Sequence, residues 1–198
     1  MTMRVISGPE PIAIPGDIPG THSETDPAIT RMIAAAQRTI DGPTGWVGRA
    51  FGKQTLEIWL EAFPCGGVTL LGPVIGSVSI KYLDVHEVEQ TLDPVYYRLA
   101  GNDLLFRPGF RAPGAACAPD AVRIRYEAGY AATDVPPEAK EAVILMALHA
   151  KAVGTDNLFL RSETVEGVGA FQYTVSDQAG AVISRAVDGL LVGLRVYV

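Results

Sequence analysis

The sequence predicts an α+β protein: a helical bundle core of about three helices, with an antiparallel β subdomain inserted between them. Three observations predict it. Apolar residues recur at helical spacing in three separate stretches. Between the first and second stretch, over about 46–127, the apolar period falls to two and Pro and Gly punctuate the gaps. The 198 residues are 48% hydrophobic and 19% charged, the proportions of a chain that folds around a core. That length favours one domain and suffices to hide roughly 70% of the unfolded surface.

Residues 1–25 hold Pro9, Pro11, Pro15 and Pro19, with Gly8, Gly16 and Gly20 among them. Proline fixes φ and removes a donor, so an extended arm is predicted here. Its spaced aliphatics Ile12, Ile14 and Ile18 suit an arm that lies along a partner. The opening Met-Thr-Met-Arg-Val-Ile has too short an apolar run for a signal peptide. Asp26-Pro27 then opens a helix over 27–41, because Asp caps and Pro suits the first helical position. Ile29, Met32, Ile33, Ala36 and Ile40 form its stripe, and Asp41-Gly42-Pro43 stops it.

The β subdomain follows. Leu56, Ile58 and Leu60 alternate with Glu57, Trp59 and Glu61, and Val78, Ile80 and Tyr82 with Ser79 and Lys81. Further short strands are predicted over 96–99, 104–106 and 122–126. Asp134-Val-Pro-Pro-Glu138 restarts a helix over 135–153 by the same logic of cap and proline. Ala142 to Leu148 leave it almost no polar face, which predicts burial on all sides, one of them against a neighbouring subunit. Val143, Met146 and Ala147 are its candidates for that contact. Residues 154–180 form a long connection, of the kind that is usually functional or mobile. Within it, 162–176 carries alternating apolar residues and glycines and suits a segment that orders on assembly, with Phe171 and Tyr173 at the contact. A last helix over 178–191 carries Val182, Ala186, Val187 and Leu190. The tail 193–198 ends Leu194-Arg-Val-Tyr-Val198: it alternates, is rich in β-branched and aromatic residues, and has no partner strand nearby in sequence.

The net charge of −6 excludes a protein that grips nucleic acid through its phosphates. It is compatible with one that DNA passes through, since an acidic wall repels DNA. Cys65 and Cys117 lack the spacing of a metal knuckle or redox pair and read as free thiols in a reducing compartment. No stretch approaches the ~18 apolar residues of a membrane span, so a soluble protein made in the cytoplasm is expected.

No chemistry emerges. His22, His86 and His149 have no ligand partner at metal spacing. His149, on an apolar helix, reads as a core or interface residue, and His86 as a turn residue. Gly167-Val-Gly-Ala-Phe171 is not a dinucleotide fingerprint, and there is neither a P-loop nor a nucleophile elbow. Glu57 with Glu61, and Arg123 with Arg125, read as solvent-facing charges on half-buried strands. No catalytic, cofactor-binding or metal-ligating residue is assigned, which favours a protein that works through surfaces.

The order of segments carries a resemblance. A helix ending Ile33-Ala-Ala-Ala-Gln-Arg-Thr-Ile40 precedes Thr44-Gly45, then Gln54-Thr-Leu-Glu-Ile-Trp-Leu-Glu-Ala-Phe-Pro64 and Val78-Ser-Ile-Lys-Tyr-Leu-Asp84. Val88-Glu-Gln-Thr-Leu-Asp-Pro94 with Tyr97 comes next. Val122-Arg-Ile-Arg-Tyr-Glu-Ala-Gly-Tyr130 then leads to Val135-Pro-Pro-Glu-Ala-Lys-Glu-Ala-Val-Ile-Leu-Met-Ala-Leu-His149. Over 26–192 this resembles the head–tail connector (adaptor or head-completion) family of long-tailed phages and phage-like gene transfer agents. Two departures stand out: Val85-His86-Glu87 fills a turn that often holds Asp-Gly in the family, and Ala150-Lys-Ala-Val-Gly154 replaces an aromatic followed by Glu-Asn-Arg. The proline-rich arm lies outside the resemblance.

The resemblance implies a virion structural protein of the neck, between capsid and tail, assembled in the bacterial cytoplasm. It implies a ring, dodecameric in the family, with helices as its body. Double-stranded DNA would cross the channel without sequence-specific binding. The implied partners are the portal protein, a stopper or tail-side neck protein, and further copies of the chain, with no membrane, cofactor or metal, and no enzymatic role. In relatives the C-terminal segment docks on the portal, where it can add a strand. That makes Leu194, Arg195, Val196, Tyr197 and Val198 the expected portal-binding residues, and strand addition agrees with the alternation of the tail. The alternatives are another neck component (a stopper or tail-completion protein, commonly shorter and β-dominated), an enzyme or ligand-binding protein with a deep polar pocket, and a cytoplasmic interaction module.

Overall fold

The structure, a computed structural model, describes residues 1–153, 163–165, 169–171 and 177–196. It divides into two compact units. The first contains Met1–Glu10 and Ile40–Val135, joined by Val196, and the second contains Pro11–Thr39 and Pro136–Arg195. The class is α+β, with helices and antiparallel sheets.

The first unit is built on strands β1 (Thr2–Ser7), β2 (Gln54–Leu60), β3 (Gly67–Thr69), β4 (Val74–Leu83), β5 (Glu89–Thr91), β6 (Tyr97–Ala100), β7 (Asp103–Phe106) and β8 (Val122–Ala128). A five-stranded sheet has the order β1-β2-β8-β4-β5, and a three-stranded sheet the order β3-β7-β6. Alternation sets the inner face of the larger sheet. Leu56 pairs with Tyr126, and Ile58 and Ile80 both pair with Ile124. These residues join Leu104 and Tyr97 of the smaller sheet in one apolar cluster, most of it without exposure. Burying each such side chain stabilises by ~1.5–3 kcal/mol relative to leaving it in water.

β1 corrects the expected arm. Thr2–Ser7 is an edge strand in register with β2, Met3 opposite Ile58 and Val5 opposite Leu56. Residues 11–25 are not a free arm either: Ile12, Ala13 and Ile18 are buried within the second unit, and the Ile12 N–H donates to Gln37 Oε1 at 3.1 Å. Ile12 and Ile18 find a surface on their own chain, while Ile14 stays 59% exposed. The Lys140 ammonium pairs with Asp17 at 2.9 Å, and Lys151 lies 3.3 Å from His22 Nδ1.

The second unit holds α1 (Pro27–Ile40, whose last residue belongs to the first unit), α2 (Pro137–Ala152) and α3 (Asp177–Leu191). Asp26 caps α1 as expected, its Oδ1 accepting the Ala28 N–H at 2.8 Å. Asp134 does not cap α2. Its carboxylate bonds Thr133, its N–H closes a turn onto Ala131, and Pro136 stands at the cap position with no side-chain bond. Prolines at 136 and 137 lack the N–H groups that a cap would satisfy. α2 packs on α3, and Thr39 of α1 donates to Met146 Sδ at 3.5 Å. The apolar cluster of the first unit lies between its two sheets, and the helices of the second unit bury residues of their own, among them Ile29, Ile33, Ala142 and Val143. Glu163–Val165 and Gly169–Phe171 form an antiparallel hairpin of two strands, β9 and β10. The rest of the 162–176 segment, Tyr173 included, lies outside the described residues.

Candidate interface surfaces

Five strands bring a charged network to the outer face of the larger sheet. The register sets Arg4 opposite Glu57, Glu57 opposite Arg125, and Trp59 opposite Arg123. Glu57 is not the solvent-facing charge expected. It is 6% exposed. Its Oε1 accepts the Trp59 indole N–H at 2.7 Å, and its Oε2 accepts from Arg125 Nε at 2.8 Å. Arg4 lies over the Trp59 ring, its guanidinium carbon 3.5 Å from the centroid, and Arg123 approaches the same ring at 5.6 Å. Arg123 also pairs with Asp120 at 2.7 Å and Glu89 at 3.3 Å, and Lys81 pairs with Glu89 at 2.6 Å. Tryptophan and arginine held in fixed positions are the side chains that dominate interface energies. The signal for this patch was present in β1, whose alternation the prolines after it obscured.

The turn between β4 and β5 is held tightly. Asp84 Oδ1 accepts the N–H groups of His86 and Val88 at 2.9 and 3.1 Å, and its Oδ2 accepts from Gln90 Nε2 at 2.9 Å. The Gln90 amide first, then the two backbone N–H groups, hold this carboxyl below the usual carboxylate range. Glu87 takes φ 61, in the left-handed region that favours glycine. Val85 and Val88 stand 65% and 54% exposed.

The portal-binding candidates divide. Leu194 ends a short 3₁₀ turn, Val192–Leu194, rather than a strand. Arg195 is extended, and the Val196 N–H donates to Val47 O at 2.9 Å. Gly48 makes room for that seat: its φ is +72°, and a Cβ there would stand 2.9 Å from Val196 O. Val196 remains 40% exposed. Tyr197 and Val198 lie outside the described residues.

The candidates for contact between subunits divide too. Val143 and Ala147 are 0% and 1% exposed inside their own subunit, so they build its core and are removed from the candidates. A side chain already enclosed has no surface left for a neighbour. Met146 is partly buried and accepts from Thr39. The backbone of Phe171 lies in β10.

Among the described residues no His, Cys, Asp or Glu cluster fits a metal ion, and no helix is long and apolar enough to cross a membrane. His149 lies against Gly180 of α3. Cys65 and Cys117 are free and exposed. A cleft of about 410 Å³ is walled by Phe63, Phe106 and Phe110, with Cys65 and Arg107 at its rim. Phe106 and Phe110 stack at 4.5 Å, and Phe63 meets both edge-on. These walls contain no acid–base pair.

The fold has solved counterparts. It is similar along 100% of this chain to a chain from the neck of a native gene transfer agent (GTA) particle computed with C12 symmetry, at TM-score 0.65 and 19% identity, covering 97% of that chain. The neck of an empty GTA particle computed with C6 symmetry matches with the same figures. A chain of the virion of a native GTA particle matches at TM-score 0.65 and 18% identity. This likeness is one of fold. No protein-family model and no curated protein matches the sequence.

Proposed function

We propose that this chain is a structural subunit of a phage-type neck, an adaptor in the ring that joins a capsid portal to the stopper or tail. The single observation behind this reading is the likeness of fold, end to end, to chains of a gene transfer agent neck. In this reading the ring is a dodecamer around a DNA channel, in keeping with the C12 symmetry of that neck, and its helices pack as a bundle in the ring body. The particle is the site of action, and the chain performs no catalysis.

Portal contact is assigned to the C-terminal residues Leu194–Val198. What supports this is a short extended end held to its own chain by the Val196–Val47 bond, with Val196 still exposed. An extended end of this kind exchanges backbone bonds with a sheet edge, and alternate side chains then give specificity. Co-expression with the neighbouring gene products and imaging by negative stain tests the reading. A ring with a channel wide enough for duplex DNA is expected. A chain that never joins a ring or a particle overturns it.

A further inference from the structure

We propose that the aromatic cleft of the first unit is a docking site for an acidic segment of a partner protein. An apolar side chain of that segment enters the cleft while its carboxylates meet Arg107 and Arg111. The inference goes beyond the neck reading and does not depend on it.

Three observations carry it. The first is the cavity. The cleft of about 410 Å³ lies at the small end of the ~300–1,000 Å³ that binding clefts span, room for side chains rather than for a folded element. Phe63, Phe106 and Phe110 wall it, and Tyr96 extends the wall outward, its ring 5.8 Å from that of Phe110. Tyr96 is 48% exposed and Val95 beside it 58%. Exposed aromatic and aliphatic surface around a cleft, rimmed by charge, marks a place where another protein packs.

The second is charge. Arg107 lines the cleft, and no carboxylate does. Arg111 stands between Phe110 and Ala112, which both line it. Arg98 is opposite Leu105, two residues before Arg107 in the chain. All three arginines are exposed, and among the described residues no carboxylate pairs with any of them. The acids of this region are engaged elsewhere: Asp93 accepts the Val95 N–H at 2.8 Å, and Asp103 accepts the Thr69 hydroxyl at 2.7 Å. The guanidinium forks are thus open to carboxylates arriving from outside. A DNA duplex needs a broad Lys/Arg surface for its phosphates and brings no side chain to fill a cleft, so a protein segment fits and DNA does not.

The third is preorganisation. Pro108 and Gly109 turn the chain, the Phe110 N–H donating to Arg107 O at 3.0 Å and Gly109 taking φ 85. The Arg107 N–H donates to Tyr96 O at 2.9 Å, and the Phe106 N–H to Gly66 O at 3.1 Å. These backbone bonds fix the walls before a partner arrives, so little entropy is lost on docking.

Calorimetry on the full chain with defined peptides tests this. The first peptide has a tryptophan flanked on each side by acidic residues. In the second, alanine replaces the tryptophan; in the third, lysines replace the acids. The first is expected to bind about tenfold more tightly than either of the others, and Arg107→Glu combined with Arg111→Glu to weaken it about tenfold. No binding of the first peptide, equal binding of the three, or an unchanged Kd in the double variant overturns the proposal. A DNA duplex that binds the wild type and not the double variant overturns the assignment to a protein partner. Cys65 at the rim gives a second measurement that leaves the arginines in place. In a chain with Cys117→Ser, the first peptide at saturation is expected to slow maleimide labelling of Cys65 about tenfold, since a docked segment covers the rim. An unchanged labelling rate overturns the docking site. Failure in either measurement leaves the neck reading, which imaging tests, where it stands.

Discussion

Asp41 is 3% exposed, and its carboxylate accepts the N–H groups of Phe51 and Gly52 and the Gln54 amide, at 2.8, 2.9 and 2.9 Å. The motif after α1 was legible only as a stop signal. That this carboxylate also pins a strand entry ten residues on depends on the fold. Asp41→Ala leaves two buried N–H groups without partners, at about 1–3 kcal/mol each. A loss of roughly 3–5 kcal/mol is expected in urea unfolding. Glu57 teaches the same lesson. Period two sets it on the outer face of the sheet, but the guanidinium that holds its carboxylate there comes from Arg125, 68 residues away. Tyr126 gives a prediction in pH. Burial pushes its hydroxyl from the ordinary value of 10.0 up to about 12. The folded value is raised, so this contribution to stability is full below pH ~10 and is lost as pH rises from there toward 12. Thermal melts of the wild type should fall over that window, and Tyr126→Phe should remove that step.

Elements of strong period were visible in the sequence. α1 and β2 lie where spacing puts them, since a long apolar stripe or a clean alternation leaves one face to bury. β1 was hidden because the proline run after it dominates the window, and its partner β2 starts 47 residues after Ser7 ends. β3 and β5 have three residues each, too few for a pattern. Within the sheet, Ile124 pairs with both Ile58 and Ile80 and has no exposure. Ile124→Ala should cost about 2–5 kcal/mol, against at most about 0.5 for Val182→Ala on the outside of α3, 64% exposed. Calorimetric unfolding of both variants gives the comparison.

For the whole molecule, the prediction concerns the C-terminal end. Deleting residues 194–198 removes one described backbone bond within the first unit, between Val196 and Val47, worth about 0.5–1.5 kcal/mol. The truncated chain should stay folded in circular dichroism and lose capture by the portal in a pull-down. Capture at the wild-type level would remove the tail from the portal contact. Composition and period by themselves determined the α+β class, the helices, the principal strands and the absence of a recognisable catalytic motif, because each is written in local spacing. Only the tertiary structure decided that residues 2–7 complete a sheet, that Val143 and Ala147 are inside, and that Arg4 stacks on Trp59. Those outcomes depend on residues far apart in the chain, and a pattern read along the sequence contains no distance across it.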